Sequence, residues 1–221
     1  TGRREIHNFD IEGFHRGIYT YGPDQVLLRG LRVREVFFGV QVSTPLHELR
    51  IERSRLLGPG YGHGVQLYAN IDNLTIEDTE IGDFAYGVYD LATIDSLTVR
   101  RSLLHDFGNT ALKLGSYGDI CDSGCGTPPV SRPGSARPAA QAHSGAVLTT
   151  APQGVSTGGA MGRAVVVEQT RIERAGYSLV DIQGGVRSAV FAHNVLSNPE
   201  GDVAYVYGTG AGYVSMKGDS I

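Results

Sequence analysis

LTIEDTEIGDFAYGVYD, residues 74–90, reads as short extended pieces separated by bends. Leu74-Thr-Ile-Glu alternates apolar and polar residues, Ile81 stands alone between polar neighbours, and Gly87-Val-Tyr-Asp begins a second alternating piece. Period-2 alternation over so few residues marks half-buried strands. A unit this small cannot bury its own apolar face, so it needs copies of itself to stack on.

Copies are present. Repeats aligned on this passage begin at Arg4, Val26, Leu49, Leu74, Leu97, Val165, Ala189 and Tyr213. Their starts lie roughly 24 residues apart, a spacing within the range of solenoid repeats, apart from one long gap between Leu97 and Val165. The third position then reads Ile6, Leu28, Ile51, Ile76, Val99, Val167, Phe191, and the eighth reads Ile11, Val33, Leu56, Ile81, Leu104, Ile172, Leu196. After two extra residues within 58–61, a further column reads Ile18, Val40, Val65, Val88, Ala111, Leu179, Val203. It is preceded by Gly17, Gly39, Gly64, Gly87, Thr110, Ser178 and Asp202. With 41% apolar residues, one such seven-fold column has a chance probability of about 0.002, so three aligned columns define a repeat.

Stacked coils place like residues about 4.8 Å apart and make a continuous Ile, Val and Leu core. The expected fold is an all-β, right-handed parallel β-helix of seven to eight coils, the hand following from the preference of parallel crossovers. The sixth position, Ser54, Thr79, Ser102, Thr170 and Asn194, supplies small polar residues that can hydrogen-bond backbone at a bend and stack coil on coil. The long gap holds an insertion at 119–162, rich in Gly, Pro, Ser and Ala, expected as a loop within a single domain. Cys121 and Cys125 lie in it as Cys-x3-Cys, a spacing that suits a small loop-closing disulfide in an oxidising compartment. The first residues already sit inside a repeat, so we expect a trimmed or mature chain from a secreted or cell-surface protein.

A net charge of −4 with no basic patch argues against a nucleic-acid partner, and no apolar run is long enough to span a membrane. Only two of the 19 basic residues are lysines, Lys113 and Lys217. All eleven tyrosines except Tyr213 fall in the Gly-Val strands or their flanks. An aromatic rim of that kind suits sugar rings, and exposed strands also favour aromatics for their own sake. By contrast, Arg29, Glu52, Glu77, Arg100 and Glu168 form a solvated charge ladder on the first strand.

The coil length, the Val-x-Ile…Asn/Ser/Thr-x-Ile…Gly-Val pattern and the late insertion resemble the pectate-lyase-like β-helix superfamily. That resemblance implies a carbohydrate-active protein binding or cleaving an acidic polysaccharide, or a non-catalytic structural or adhesive solenoid. No motif names a cofactor, and a calcium requirement stays open. The expected site is a column of Asp90, Lys113 and Asp181, rimmed by Tyr89, Tyr117 and Tyr205, with His105 and Arg187 available to complete it. A lyase would use Lys113 as base or as neutraliser of a uronate carboxylate. A hydrolase would use Asp90 and Asp181, two coils or about 9.6 Å apart, as an inverting pair. The Lys113 strand looks like the lysine strand of alginate and chondroitin lyases, although Asp181-Ile-Gln183 stands where an arginine is expected. Gly62-His63-Gly64 matches a polygalacturonase tripeptide without its partner residues, and His63 reads as a turn residue.

Overall fold

The computed structural model describes residues 2–22, 24–92, 94–114, 163–183, 186–199, 201–207 and 213–220. They form a parallel β-solenoid with three sheets and no helix. The insertion at 119–162, with Cys121 and Cys125, lies outside the described residues.

The first sheet stacks eight strands, from Arg3–His7 through Ile71–Glu77 to Tyr213–Lys217. Its registers run Arg4, Val26, Leu49, Leu74, Leu97, Val165, Ala189, each residue beside the next. The last coil differs: Ala189 pairs with Val214 and Tyr213 with Ser188, one residue away from the expected start. The second sheet stacks seven short strands, of which Glu80–Gly82 is typical, and aligns Ile11 to Leu196 as the repeat predicts. The third sheet stacks seven strands, from Arg16–Thr20 to Asp202–Tyr207.

Between the three sheets runs one apolar core, in which Ile76, Val99, Leu104 and Val167 have no exposed surface. At the bend from the first to the second sheet the chain turns on a left-handed residue in every coil: Asn8, Gly30, Arg53, Asp78, Arg101, Gln169, His193 and Gly218 all have positive φ. Only two of the eight are glycine. Their conformation is held by parallel hydrogen bonds to the neighbouring coil, such as Asp78 N to Arg100 O at 3.2 Å.

Immediately after this bend the small polar column forms a ladder. Ser54 N donates to Thr79 Oγ1 at 3.3 Å, Thr79 N to Ser102 Oγ at 3.2 Å, Ser102 N to Thr170 Oγ1 at 3.4 Å, and Thr170 N to Asn194 Oδ1 at 2.9 Å. Each hydroxyl also donates to a carbonyl two residues earlier, as Thr79 Oγ1 does to Glu77 O at 2.8 Å. A short hydroxyl thus satisfies a buried N–H and a carbonyl at a corner where the strand ladder is interrupted.

One column is corrected by the structure. Ile18, Val40, Val65 and Val88 continue into Leu112, Val180 and Ala204, not Ala111, Leu179 and Val203. The cause is one extra residue at Gly108–Asn109. Gly82 and Tyr86 stand four residues apart, whereas their partners His105 and Thr110 stand five apart, so this corner holds one residue more than the same corner of the preceding coil. Thr110 and Ser178 therefore follow Tyr86, in the place before the glycine column rather than in it.

Candidate functional site

The extra corner residue decides which side chains meet on the third sheet. Lys113 pairs with Tyr89 on one side and Asp181 on the other, and Asp181 pairs with Tyr205. Traced through the earlier coils, this position is Tyr19, Gln41, Gln66, Tyr89, Lys113, Asp181, Tyr205. Its flanking residues, such as Val65 and Leu67 or Leu112 and Leu114, belong to the apolar core. Strand alternation then turns the column to the outer face.

Asp90 is not in this column. It pairs with Leu67, one position further along, and its Oδ1 accepts a hydrogen bond from Ala92 N at 2.9 Å, fixing the exit turn of its strand. The carboxylate pair expected of a hydrolase is therefore not built from Asp90 and Asp181. His105 is also elsewhere, on the second sheet beside Gly82 and Glu173. Its Nε2 lies 3.1 Å from Glu80 and its Nδ1 2.8 Å from Asp106, whose carboxyl the Arg174 guanidinium holds below the usual carboxylate range. The ring lies flat over Gly82, where a Cβ would come within 2.5 Å of it. Arg187 sits on a first-sheet strand, Val186–Ala192. The side chains of Arg187 and Tyr205, and the whole of Tyr117, fall outside the described residues.

Lys113 and Asp181 are not open surface groups, being 8% and 3% exposed. Tyr89, expected at the rim, is buried in the floor. Among the described residues the open tyrosines are Tyr19, at the first-coil end of the column, Tyr61 and Tyr177 before the third-sheet strands, and Tyr21 and Tyr68 after them.

Residues preceding the glycine column complete the site, and repeat reading passed over them. Arg16, Phe38, His63, Tyr86, Thr110 and Ser178 share that place. His63 is consequently a strand residue, not a turn residue. With their neighbours they form a continuous aromatic stripe. Phe37 lies 4.5 Å from Phe38 and 5.6 Å from Tyr61, Phe38 5.6 Å from His63, and His63 5.3 Å from Tyr86 and 4.9 Å from Tyr89. Tyr86 and Tyr89 stack at 4.8 Å. The stripe ends on a cation, Lys113 Nζ, 5.7 Å from the Tyr86 ring and 5.5 Å from the Tyr89 ring. A similar pairing opens it, Arg16 lying over Tyr19 at 5.2 Å. Burial pushes the His63 imidazole down to about 4, so it is neutral through the physiological range.

No protein family, curated protein or solved structure matches this chain. The fold defines it as a parallel β-solenoid. Among the described residues no group of His, Cys, Asp and Glu is arranged to hold a metal ion, and no helix is long and apolar enough to cross a membrane.

Proposed function

We propose that the outer face of the third sheet binds an acidic polysaccharide, with lyase-type β-elimination as the chemistry it supports. The observation that carries this reading is Lys113, a cation set against the Tyr86 and Tyr89 rings and in register with Asp181. Sugar C–H faces stack on aromatics, and an ammonium beside a uronate carboxylate neutralises it and acidifies the adjacent C–H bond. Asp181, one strand away, is the base that takes that proton. A double bond then forms and the glycosidic oxygen leaves, protonated by solvent. Hydrolysis is disfavoured because Asp90 stands outside the column. The lysine strand and the coil pattern resemble the pectate-lyase-like superfamily, whose setting would be secreted or cell-surface.

One observation favours a second reading, a non-catalytic structural or adhesive solenoid: Lys113 and Asp181 are buried. The two separate on one experiment. Protein incubated with pectate, alginate and glycosaminoglycans should raise absorbance at 235 nm, from unsaturated uronate, and Lys113→Ala should abolish the rise while remaining folded. Retention of a polymer without absorbance leaves binding alone. Neither retention nor absorbance on any polymer sinks the carbohydrate reading.

A further inference from the structure

The first coil leaves the core open. Its strands Arg3–His7, Asp10–Glu12 and Arg16–Thr20 each pair on one side only, so three rows of backbone donors and acceptors stand free for another strand. Ile6 and Ile11 pack on the core but are only partly buried. Phe9 precedes Asp10 as Leu31 precedes Arg32, and Phe14 stands between Glu12 and Arg16 as Val36 stands between Arg34 and Phe38. Leu31 and Val36 are buried, whereas Phe9 and Phe14 are 60% and 63% exposed. At the same end an open cavity of about 640 Å³ is lined by Arg4, Ile6, Ile18, Tyr19, Tyr21 and Val26. A coil that closes a solenoid against water carries a polar outer face. This one carries the residues of an interior coil.

The opposite end continues the same columns. The strands Asp202–Tyr207 and Tyr213–Lys217 are edges too. Met216 pairs with Phe191, in the third-position column that begins at Ile6, and it is exposed. Asp202 pairs with Ser178, in the column that begins at Arg16, and both charged residues are exposed. Ser220 lies beside Val195, in the column that begins at Asp10. One further coil spacing, about 4.8 Å, sets Met216 of one copy against Ile6 of the next, Ser220 against Asp10, and Asp202 against Arg16. Apolar meets apolar, a hydroxyl donor meets a carboxylate, and an anion meets a cation. Lys217 falls beside His7, whose ring lies 2.9 Å from the Glu5 carboxylate.

We propose that copies of this chain stack head to tail, the last coil of one on the first coil of the next, with strands parallel in all three sheets. The occupant of the open core is thus a second copy. First coils facing each other would run their strands antiparallel and break every column. The head-to-tail contact joins two different surfaces along the solenoid axis and does not close on itself, so its product is an open row of copies.

Sedimentation velocity on the full chain should show an average mass that rises with concentration and passes beyond the dimer. Phe9→Lys blocks the first coil and Met216→Lys the last. Each changes an exposed residue, so each variant should keep its far-ultraviolet spectrum and sediment as a monomer. An equimolar mixture of the two should form dimers and stop there, because one intact end of each kind remains. Arg16→Asp should weaken association at least tenfold, and adding Asp202→Arg to the same chain should restore it. A chain that is monomeric at every concentration would overturn the proposal and leave the open columns of the first coil to a different polypeptide. Met216→Lys dimerising alone would overturn it in favour of first coils facing each other. A mixture that stays monomeric, or an Arg16→Asp chain that Asp202→Arg does not rescue, would overturn it as well.

Discussion

Lys113 and Asp181 stand side by side on neighbouring strands although the whole 119–162 insertion separates them in sequence. Stacking is the reason: the solenoid closes over the insertion, and the coil after it takes up the register of the coil before it. Arg100 beside Glu168 and Ser102 bonded to Thr170 span the same gap on the other side of the molecule. Excising residues 120–160 should therefore leave a folded solenoid with an unaltered far-ultraviolet spectrum. A chain that unfolds on excision would show that the insertion carries part of the core.

The core itself should tolerate no charge. Val99 has no exposed surface and lies between Ile76 and Val167. Val99→Asp places an unpaired carboxyl between two apolar coils, and soluble expression should fail. Soluble, cooperatively melting protein would contradict the burial.

Thr79→Val tests the corner ladder. The substitution keeps the shape but leaves Ser54 N without its acceptor, while Glu77 O keeps only the bond from Arg53 N. A buried group stripped of its partner costs about 1–3 kcal/mol. Chemical denaturation should show that loss with an unchanged m-value, and a variant as stable as the parent would show that the ladder contributes nothing.

Acid sensitivity should centre on His63. Its folded-state value is pushed down to about 4, below the ordinary 6.5, by burial. Between those two values the unfolded chain binds a proton that the folded one does not, so stability falls as pH drops through this window and levels off below it. The shift corresponds to something on the order of 3 kcal/mol. His63→Gln should flatten the stability profile between pH 6.5 and 4. An identical slope in the variant would assign the acid sensitivity to other groups.

The two lysines should react differently. Lys113 is buried against two tyrosine rings, whereas Lys217 is exposed near the end of the last first-sheet strand. Under a limiting amount of an acylating reagent, peptide mass spectrometry should find Lys217 modified at least ten times faster. Equal rates would mean that the Lys113 face is open.

Residues such as Ile76, Val99 and Leu104 made the core legible, because an apolar column is a repeated composition and survives small errors of alignment. The corner ladder was legible for the same reason, its Ser, Thr and Asn being alike in size and chemistry. The functional face was not. Tyr19, Gln41, Gln66, Tyr89, Lys113 and Asp181 share a place but no chemistry, so nothing in the sequence announces them as a column. Asp90 entered only because the extra residue at Gly108–Asn109 leaves no mark in a stretch where Ala111 and Leu112 serve equally well as apolar positions. The residue before each glycine held the missing signal: Phe38, His63 and Tyr86 all precede one, and they form the centre of the stripe.

That corner also bears on how such a surface changes over generations. Were the unchanged chain to hold only as many residues in that corner as the coil before it does, Leu112 would stand where Lys113 now does, with Ala111 behind it. Lys113 would then fall on the core place of Leu114. The number of residues held at a bend thus selects which side chains a strand turns outward, and it exchanges interior residues at the same time. Solenoids of this kind can sample new surface chemistry by sliding a strand rather than by replacing its residues one at a time.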